Sequence, residues 1–295
     1  MNDHYTYPQQ INDNLWVLGN YFINIYLVIG RKKCALVEMG ISATVDSVIS
    51  QLELIGIEPD YLVLTHPHAD HVTGITGLIE RYPSAKTIVA KGAIDFLKHP
   101  KAKSSLLAED KFMTRKLSEI KIMPGRPPIT KAPSIASPII IEKEIRMDLG
   151  GVELLLYKAY GHSPGNLIGY IPSIHAVISS DSLGFHYPHR CMLPLFLTGY
   201  NEYLKTIDKI ISFKPKIICP GHQGPIIDSK PTKVLHDARK ALVNLHSGII
   251  EKGAKRDELS EKLFRKYYVD ELTLYSATNL QNCMRLLVKR STEAL

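Results

Sequence analysis

Short apolar runs separated by turn residues dominate the N-terminal part of the chain, and apolar stripes at helical spacing dominate its C-terminal part. Segments 15–18, 22–29 and 34–37 are rich in β-branched and aromatic side chains and are punctuated by Gly19 and Gly30, which predicts three strands. Val45, Val48, Ile49, Leu52 and Leu54 recur at helical spacing and predict a helix over 43–55. Residues 61–64 form a short apolar run, the pattern of a buried strand, with a helix to follow at 73–81 and a strand at 87–90.

Residues 91–142 break this alternation. A helical pattern covers 91–120, and 122–138 then holds Pro124, Pro127, Pro128, Pro133 and Pro138. Proline at that density excludes helix interior and central strand, so the segment is expected to be an ordered crossing loop or a lid. Strands resume at 143–149, 152–159, 168–172 and 176–180, followed by a helix at 201–213 and a strand at 217–219. The tail carries three helical stripes: Val234, Leu235, Ala238, Leu242, Leu245 and Ile249; then Leu259, Leu263, Phe264 and Tyr267; then Leu280, Cys283, Met284 and Leu287. The pattern divides the chain into a strand-and-helix part over 1–230, with 91–142 as a helical and Pro-rich insert, and a helical part over 231–295.

Composition narrows the class. The chain has 295 residues, 45% apolar and 22% charged, the balance of an ordinary globular protein. A chain this long buries about three quarters of its unfolded surface and needs no disulfide staples. Its four cysteines, Cys34, Cys191, Cys219 and Cys283, are scattered without a CxxC pair, which argues against a zinc ribbon, a redox motif or a disulfide scaffold. No stretch reaches 18 uninterrupted apolar residues, and MNDHYTYPQQ lacks the basic start and apolar run of a secretory signal; the expectation is a cytoplasmic protein with no membrane association. Net charge is +7, from 36 Lys and Arg against 29 Asp and Glu, a sign that suits an anionic substrate or nucleic acid. With no run of five like charges and no basic stretch interleaved with aromatics, the pattern favours a small anion over nucleic acid.

The chemistry is concentrated in four motifs, each placed just past a predicted strand. They are Thr65-His66-Pro67-His68-Ala69-Asp70-His71, Gly161-His162-Ser163-Pro164-Gly165-Asn166, Ser179-Ser180-Asp181-Ser182-Leu183-Gly184, and Pro220-Gly221-His222-Gln223-Gly224. Imidazole and carboxylate are ligands for zinc, iron or manganese. Seven such groups exceed the needs of one tetrahedral ion and suit two, since ions about 3.5–4 Å apart can share a carboxylate and a hydroxide. Glycines at 161, 165, 221 and 224 permit the tight turns that aim the neighbouring histidines inward.

HxHxDH followed by GHSPGN, SSD and PGH resembles the metallo-β-lactamase superfamily over residues 12–228. The resemblance implies an α/β (α+β) fold, an αββα sandwich, with two divalent metal ions. It implies His66, His68 and His162 on the first ion, Asp70, His71 and His222 on the second, and Asp181 bridging them, with Asp70 and Asp181 as the catalytic carboxylates. The bridging aspartate and the absence of cysteine from the motif positions point away from antibiotic hydrolysis, towards the glyoxalase II, lactonase and phosphodiesterase branches. Ala35-Leu36-Val37-Glu38-Met39-Gly40-Ile41-Ser42, Gly161-His162-Ser163, Asp181-Ser182-Leu183-Gly184, and Asp257-Glu258-Leu259-Ser260 leading into an amphipathic helix of the tail are also similar to the PqsE-type thioesterases, which carry a C-terminal helical cap. Those proteins share Glu38 where most of the superfamily has Asp, and its expected role is to orient a ligand histidine. Phe185-His186 departs from that group, which has a carboxylate there.

The leaving group separates the branches. An alkoxide leaves poorly and calls for a proton donor; the lactonases resemble one another in a tyrosine three residues after the bridging aspartate, and here that position is Gly184. A thiolate, with a conjugate-acid pKa near 8.5, needs little help. The expectation is therefore a hydrolase acting on an acyl- or aroyl-thioester of the coenzyme A type, an anion that the basic balance of insert and tail could steer. A phosphodiesterase, a lactonase or glyoxalase II-like hydrolase, and a regulatory protein acting through a partner or as a homodimer are the alternatives. His186 and His189 follow Asp181 closely enough to be substrate contacts.

Overall fold

Both faces of the first three long strands are apolar, so each strand needs cover on two sides. In β2 (Leu15–Gly19), β3 (Asn24–Ile29) and β4 (Cys34–Val37), Leu15, Val17, Tyr26, Val28, Ala35 and Val37 turn one way; Leu18, Ile25, Leu27, Cys34 and Leu36 turn the other. The period-2 alternation of a strand thus sorts one sequence into two cores. The computed structural model describes residues 6–122, 125–187, 192–251 and 256–294.

A seven-stranded sheet runs in chain order from β1 (Gln9–Asn12) through β2, β3 and β4 to β5 (Tyr61–Val63), β6 (Lys86–Ala90) and β7 (Ile139–Ile141). Pairing is antiparallel up to β4 and parallel beyond it. A second sheet has the order β14-β11-β10-β9-β8, built from β8 (Glu144–Asp148), β9 (Glu153–Ala159), β10 (Asn166–Ile171), β11 (Ala176–Ile178) and β14 (Ile217–Cys219). A ribbon of β12 (Phe185–His186) and β13 (Met192–Leu193) stands apart.

One core lies between the sheets. Outside the first sheet pack α1 (Val45–Ile55), the short α2 (Ala69–Val72), α3 (Ile75–Arg81) and α4 (Lys91–Lys98). α5 (Pro100–Glu119) follows α4 and reaches the same core through Leu106. Outside the second sheet pack α6 (Tyr200–Ser212) and the tail helices α7 (Lys230–Glu251), α8 (Arg256–Tyr267) and α9 (Ala277–Glu293). The layers are therefore helix, sheet, sheet, helix, the expected sandwich with its helices at the C-terminus. A single buried cluster joins Ile168 and Val177 of the second sheet to Leu242, Leu263 and Met284 of the tail.

Four expectations are corrected. The helix expected over 91–120 breaks at His99, held extended by Pro100, which starts α5 at its first position. The helix expected at 73–81 is preceded by the separate turn α2, so Asp70 and His71 are helical. Asp257 to Ser260 lie inside α8 instead of leading into it. β1, β7 and the ribbon were not anticipated: they are short edge elements whose few residues give no periodicity to read. The described part of the Pro-rich segment forms neither helix nor strand before β7; Pro124 lies outside the described residues. Among the described residues, no helix is long and apolar enough to cross a membrane.

Candidate metal centre

The topology brings the four motifs together before any side chain is considered. β9 and β11 each run antiparallel to β10, and β14 runs parallel to β11. The three therefore end at the same edge of the second sheet, and the loops carrying His162, Asp181 and His222 leave from that edge. In the first sheet β4 and β5 are parallel neighbours, so Glu38 and the His66 loop leave side by side. α2 then sets His68, Asp70 and His71 on one tight turn, with the His71 amide donating to the His68 carbonyl at 3.1 Å.

The ligand atoms fall into two groups that share one residue. His66, His68, His162 and Asp181 form the first, and Asp70, His71, His222 and Asp181 the second, with the atoms of each within 4.8 Å of one another. His162 Nε2 lies 3.2 Å from His66 Nε2 and 3.1 Å from His68 Nδ1. Asp181 Oδ2 is 3.5 Å from His162 Nε2 and 3.6 Å from His71 Nε2, and its Oδ1 is 3.4 Å from His222 Nε2. Gly221 makes this approach possible, since a Cβ there would stand 2.7 Å from His71 Cε1 and 3.1 Å from Asp181 Oδ1.

Outer partners fix which nitrogen faces inward on His162, His222 and His71. His162 Nδ1 donates to the Leu195 carbonyl at 2.8 Å, and His222 Nδ1 to the Phe22 carbonyl at 2.6 Å. His71 Nδ1 is 2.8 Å from Glu38 Oε2, which also accepts from Thr65 Oγ1 at 2.7 Å. Glu38 thus joins His71 to Thr65, with its own backbone at a φ of 78°. Such a conformation is costly for a side-chain-bearing residue and persists where surrounding bonds over-determine it. Tyr203 Oη donates to the Asp181 carbonyl at 2.8 Å and steadies that loop.

Electrostatics divides the groups. Burial, reinforced by the neighbouring imidazoles, holds His66 well below its ordinary pKa and His68 down to about 3; burial also lowers His162. These three are neutral and able to donate lone pairs. Burial opposes charge on His71 and His222 as well, but carboxylates outweigh it. Asp70, Glu38 and Asp181 hold His71 well above its ordinary value, and Asp181 and Asp70 raise His222 to about 10. Burial likewise disfavours the charged forms of Asp70 and Asp181, yet His71 and His222 keep both well below the usual carboxylate range.

The donor set fits a metal site. His71 Nε2 is buried without a hydrogen-bond partner although carboxylate oxygens stand on two sides of it. Three neutral imidazole nitrogens face one another at hydrogen-bond distance in the first group, an arrangement that a shared cation reconciles.

A cavity of about 230 Å³ opens onto both groups. Its walls come from α5 and α9 together with Phe96, Phe185, Leu195 and Leu197, and among the described residues none that lines it is Lys or Arg. His186 sits half-buried in the ribbon, and its neighbour Phe185 is the residue that lines the cavity; His189 lies outside the described residues.

Three functional positions escaped the sequence reading. Tyr275 Oη donates to Asp70 Oδ2 at 2.8 Å and lies 3.3 Å from His222 Nε2, so a phenol stands at the centre although Gly184 supplies none. Glu109 on α5 accepts from the amide and hydroxyl of Ser276, the residue that caps α9. Asp110 accepts from the Ser42 amide and hydroxyl, Thr73 Oγ1 and the Ile129 amide. Each lies far in sequence from what it touches, without a local motif; the one available signal was an acidic pair inside a helical stripe.

Comparison with known proteins agrees with this geometry. The Metallo-beta-lactamase superfamily profile matches residues 18–222. A metallo-beta-lactamase fold-containing protein of Sulfurisphaera tokodaii is 24% identical over 229 residues, 76% of this chain and 82% of the relative. A hydroxyacylglutathione hydrolase of Buchnera aphidicola is 35% identical over 69 residues, 23% of each chain. A metallo-beta-lactamase family protein from Thermus thermophilus superposes with a TM-score of 0.62 at 18% identity, covering 92% of this chain and 93% of its own. With the profile spanning most of the chain and the paired ligand groups at the sheet edges, this protein belongs to the metallo-beta-lactamase superfamily as a metal-dependent hydrolase.

Proposed function

We propose that the protein hydrolyses an acyl- or aroyl-thioester whose acyl group is apolar, at a centre of two divalent ions sharing Asp181. The observation that carries this reading is the cavity: apolar walls that lead directly to both ligand groups. Its volume of about 230 Å³ falls below the roughly 300–1,000 Å³ that encloses a drug-sized ligand, so it takes one moiety of a substrate and leaves the rest outside. Among the described residues no Lys or Arg lines it, so on this reading the polar half of a coenzyme A-type substrate stays outside the cavity.

When bound, divalent ions polarise a carbonyl and make hydroxide available near neutral pH. The protein's part is positional. His66, His68 and His162 would hold one ion and Asp70, His71 and His222 the other, with His71, His162 and His222 locked from behind, while the Asp181 carboxylate faces both groups. Phe185, Leu106 and Leu280 exclude water and orient the acyl group. A thiolate then leaves with little assistance. The resemblance to PqsE-type thioesterases supports the same class, as does the Buchnera relative, because an acylglutathione is itself a thioester. Tyr275 favours a second reading, an oxygen ester or lactone, since its phenol supplies the donor whose absence at Gly184 argued against an alkoxide leaving group.

The test is thiol release from a panel of acyl- and aroyl-CoA thioesters on protein of known metal content. Turnover should rank the acyl groups by size, and Asp181→Asn should lower it by at least about 100-fold with loss of metal. Two ions bound with no thiol released, and brisk cleavage of bis(p-nitrophenyl) phosphate instead, would replace the thioester by a phosphodiester.

A further inference from the structure

We propose that Tyr275, delivered from the C-terminal tail, is a catalytic residue whose phenol O–H donates a hydrogen bond to the substrate carbonyl oxygen as negative charge develops on it. The proposal rests on the ester- or thioester-hydrolase reading above. It begins with one atom. Asp70 Oδ2, which accepts the phenol at 2.8 Å, is also the oxygen 3.1 Å from His71 Nε2 and 3.4 Å from His222 Nε2. The phenol therefore points at the spot on which the second ligand group converges. Tyr275 is at the same time a wall of the cavity, beside Asp70, Asp181 and His162. Its hydroxyl lies where an acyl group entering the cavity would meet the ligands.

The backbone that carries the phenol is held from several directions. The Tyr275 amide donates to the Leu272 carbonyl at 3.2 Å, and Tyr268 Oη donates to the Tyr275 carbonyl at 3.1 Å. The next residue, Ser276, is clasped by Glu109 and caps α9 by accepting from the Asn279 amide at 3.1 Å. With the ring fixed in advance, the phenol's single hydrogen needs only to turn from Asp70 Oδ2 to the carbonyl oxygen, a small reorganisation compared with recruiting a mobile donor. Among the described residues Ser105, Asn279 and Asn282 also line the cavity, but it is the Tyr275 hydroxyl that is hydrogen-bonded to a carboxylate of the ligand groups.

In the reaction, hydroxide adds to the carbonyl carbon and the carbonyl oxygen takes the negative charge. The C–S bond then breaks, thiolate departs with the electron pair, and the proton of the new carboxylic acid passes to solvent or to the thiolate. The phenol keeps its proton throughout.

The experiment compares Tyr275→Phe with the parent as metal-loaded full-length proteins, by three readouts: metal content, kcat and KM for thiol release, and octanoate affinity by calorimetry. The expected result is unchanged metal content, kcat lower by about 100-fold with KM little altered, and octanoate bound about 10-fold more weakly. A kcat within about two-fold of the parent with unchanged octanoate affinity overturns the proposal. Loss of metal in proportion to activity also overturns it, making Tyr275 a positioning residue for Asp70. If the parent cleaves no thioester, the thioester reading falls and the octanoate comparison alone decides on Tyr275; failure of octanoate to bind the parent counts against it too.

Discussion

At the scale of single residues, the seven ligand positions were legible because histidine and aspartate at HxHxDH spacing, repeated past later strand ends, have few other uses. Tyr275 was not legible: 205 residues separate it from Asp70, and a lone tyrosine before a helix has no distinguishing context. The two ligand groups also differ in a way that sequence could not convey. Without ions, His71 and His222 are protonated at neutral pH, whereas His66, His68 and His162 are not. A histidine raised to about 10, as His222 is, stabilises the folded state fully below its ordinary value of 6.5 and loses that contribution as pH rises through about 10. The metal-free protein should therefore melt at progressively lower temperature across that window. Ion binding at pH 7.5 should release about two protons, seen as a buffer-dependent heat in titration calorimetry. A binding heat independent of the buffer would show that neither histidine carries a proton.

At the scale of elements, the strands were read well where alternation was long and poorly where three residues had to suffice, as in β7. α5 shows what periodicity leaves out. Its apolar stripe placed it against the body, but its contribution is the adjacent pair Glu109 and Asp110, both buried. Asp110 ties α5 to the loop after β4, to the end of α2 and to the Pro-rich segment at once. Asp110→Ala leaves two backbone amides and the Ser42 hydroxyl without their acceptor, while Thr73 keeps the Ala69 carbonyl at 2.8 Å, and should lower unfolding free energy by about 3 kcal/mol in denaturant titration. Asp110→Asn retains an acceptor oxygen and should cost less. Equal losses from both substitutions would assign the effect to charge instead of to the hydrogen bonds.

At the scale of the whole molecule, the sandwich followed from the pattern, yet the boundary expected at residue 230 does not coincide with a break in the core. The second sheet and the tail helices share one buried cluster, so the tail is a layer of the sandwich as well as a wall of the active site. Met284, fully buried in α9, and Trp16, the sole tryptophan, on the first sheet's helix side, report from opposite faces. Met284→Ala should cost about 2–5 kcal/mol. If the molecule unfolds as one unit, the midpoint read by Trp16 fluorescence shifts along with the helical signal. A Trp16 transition that stays where it was while helicity is lost earlier would make residues 231–295 a separate unit.

The long separation in sequence between the ligand motifs and Tyr275 also fixes an order of synthesis. A ribosome emits the chain from its N-terminus, so His66 through His222 all emerge before Tyr275 does. Because α9 forms one wall of the cavity and shares a buried cluster with the second sheet, the cavity is complete only after α9 has been synthesised and packed, so the ligands and the pocket they serve are finished in a single late step.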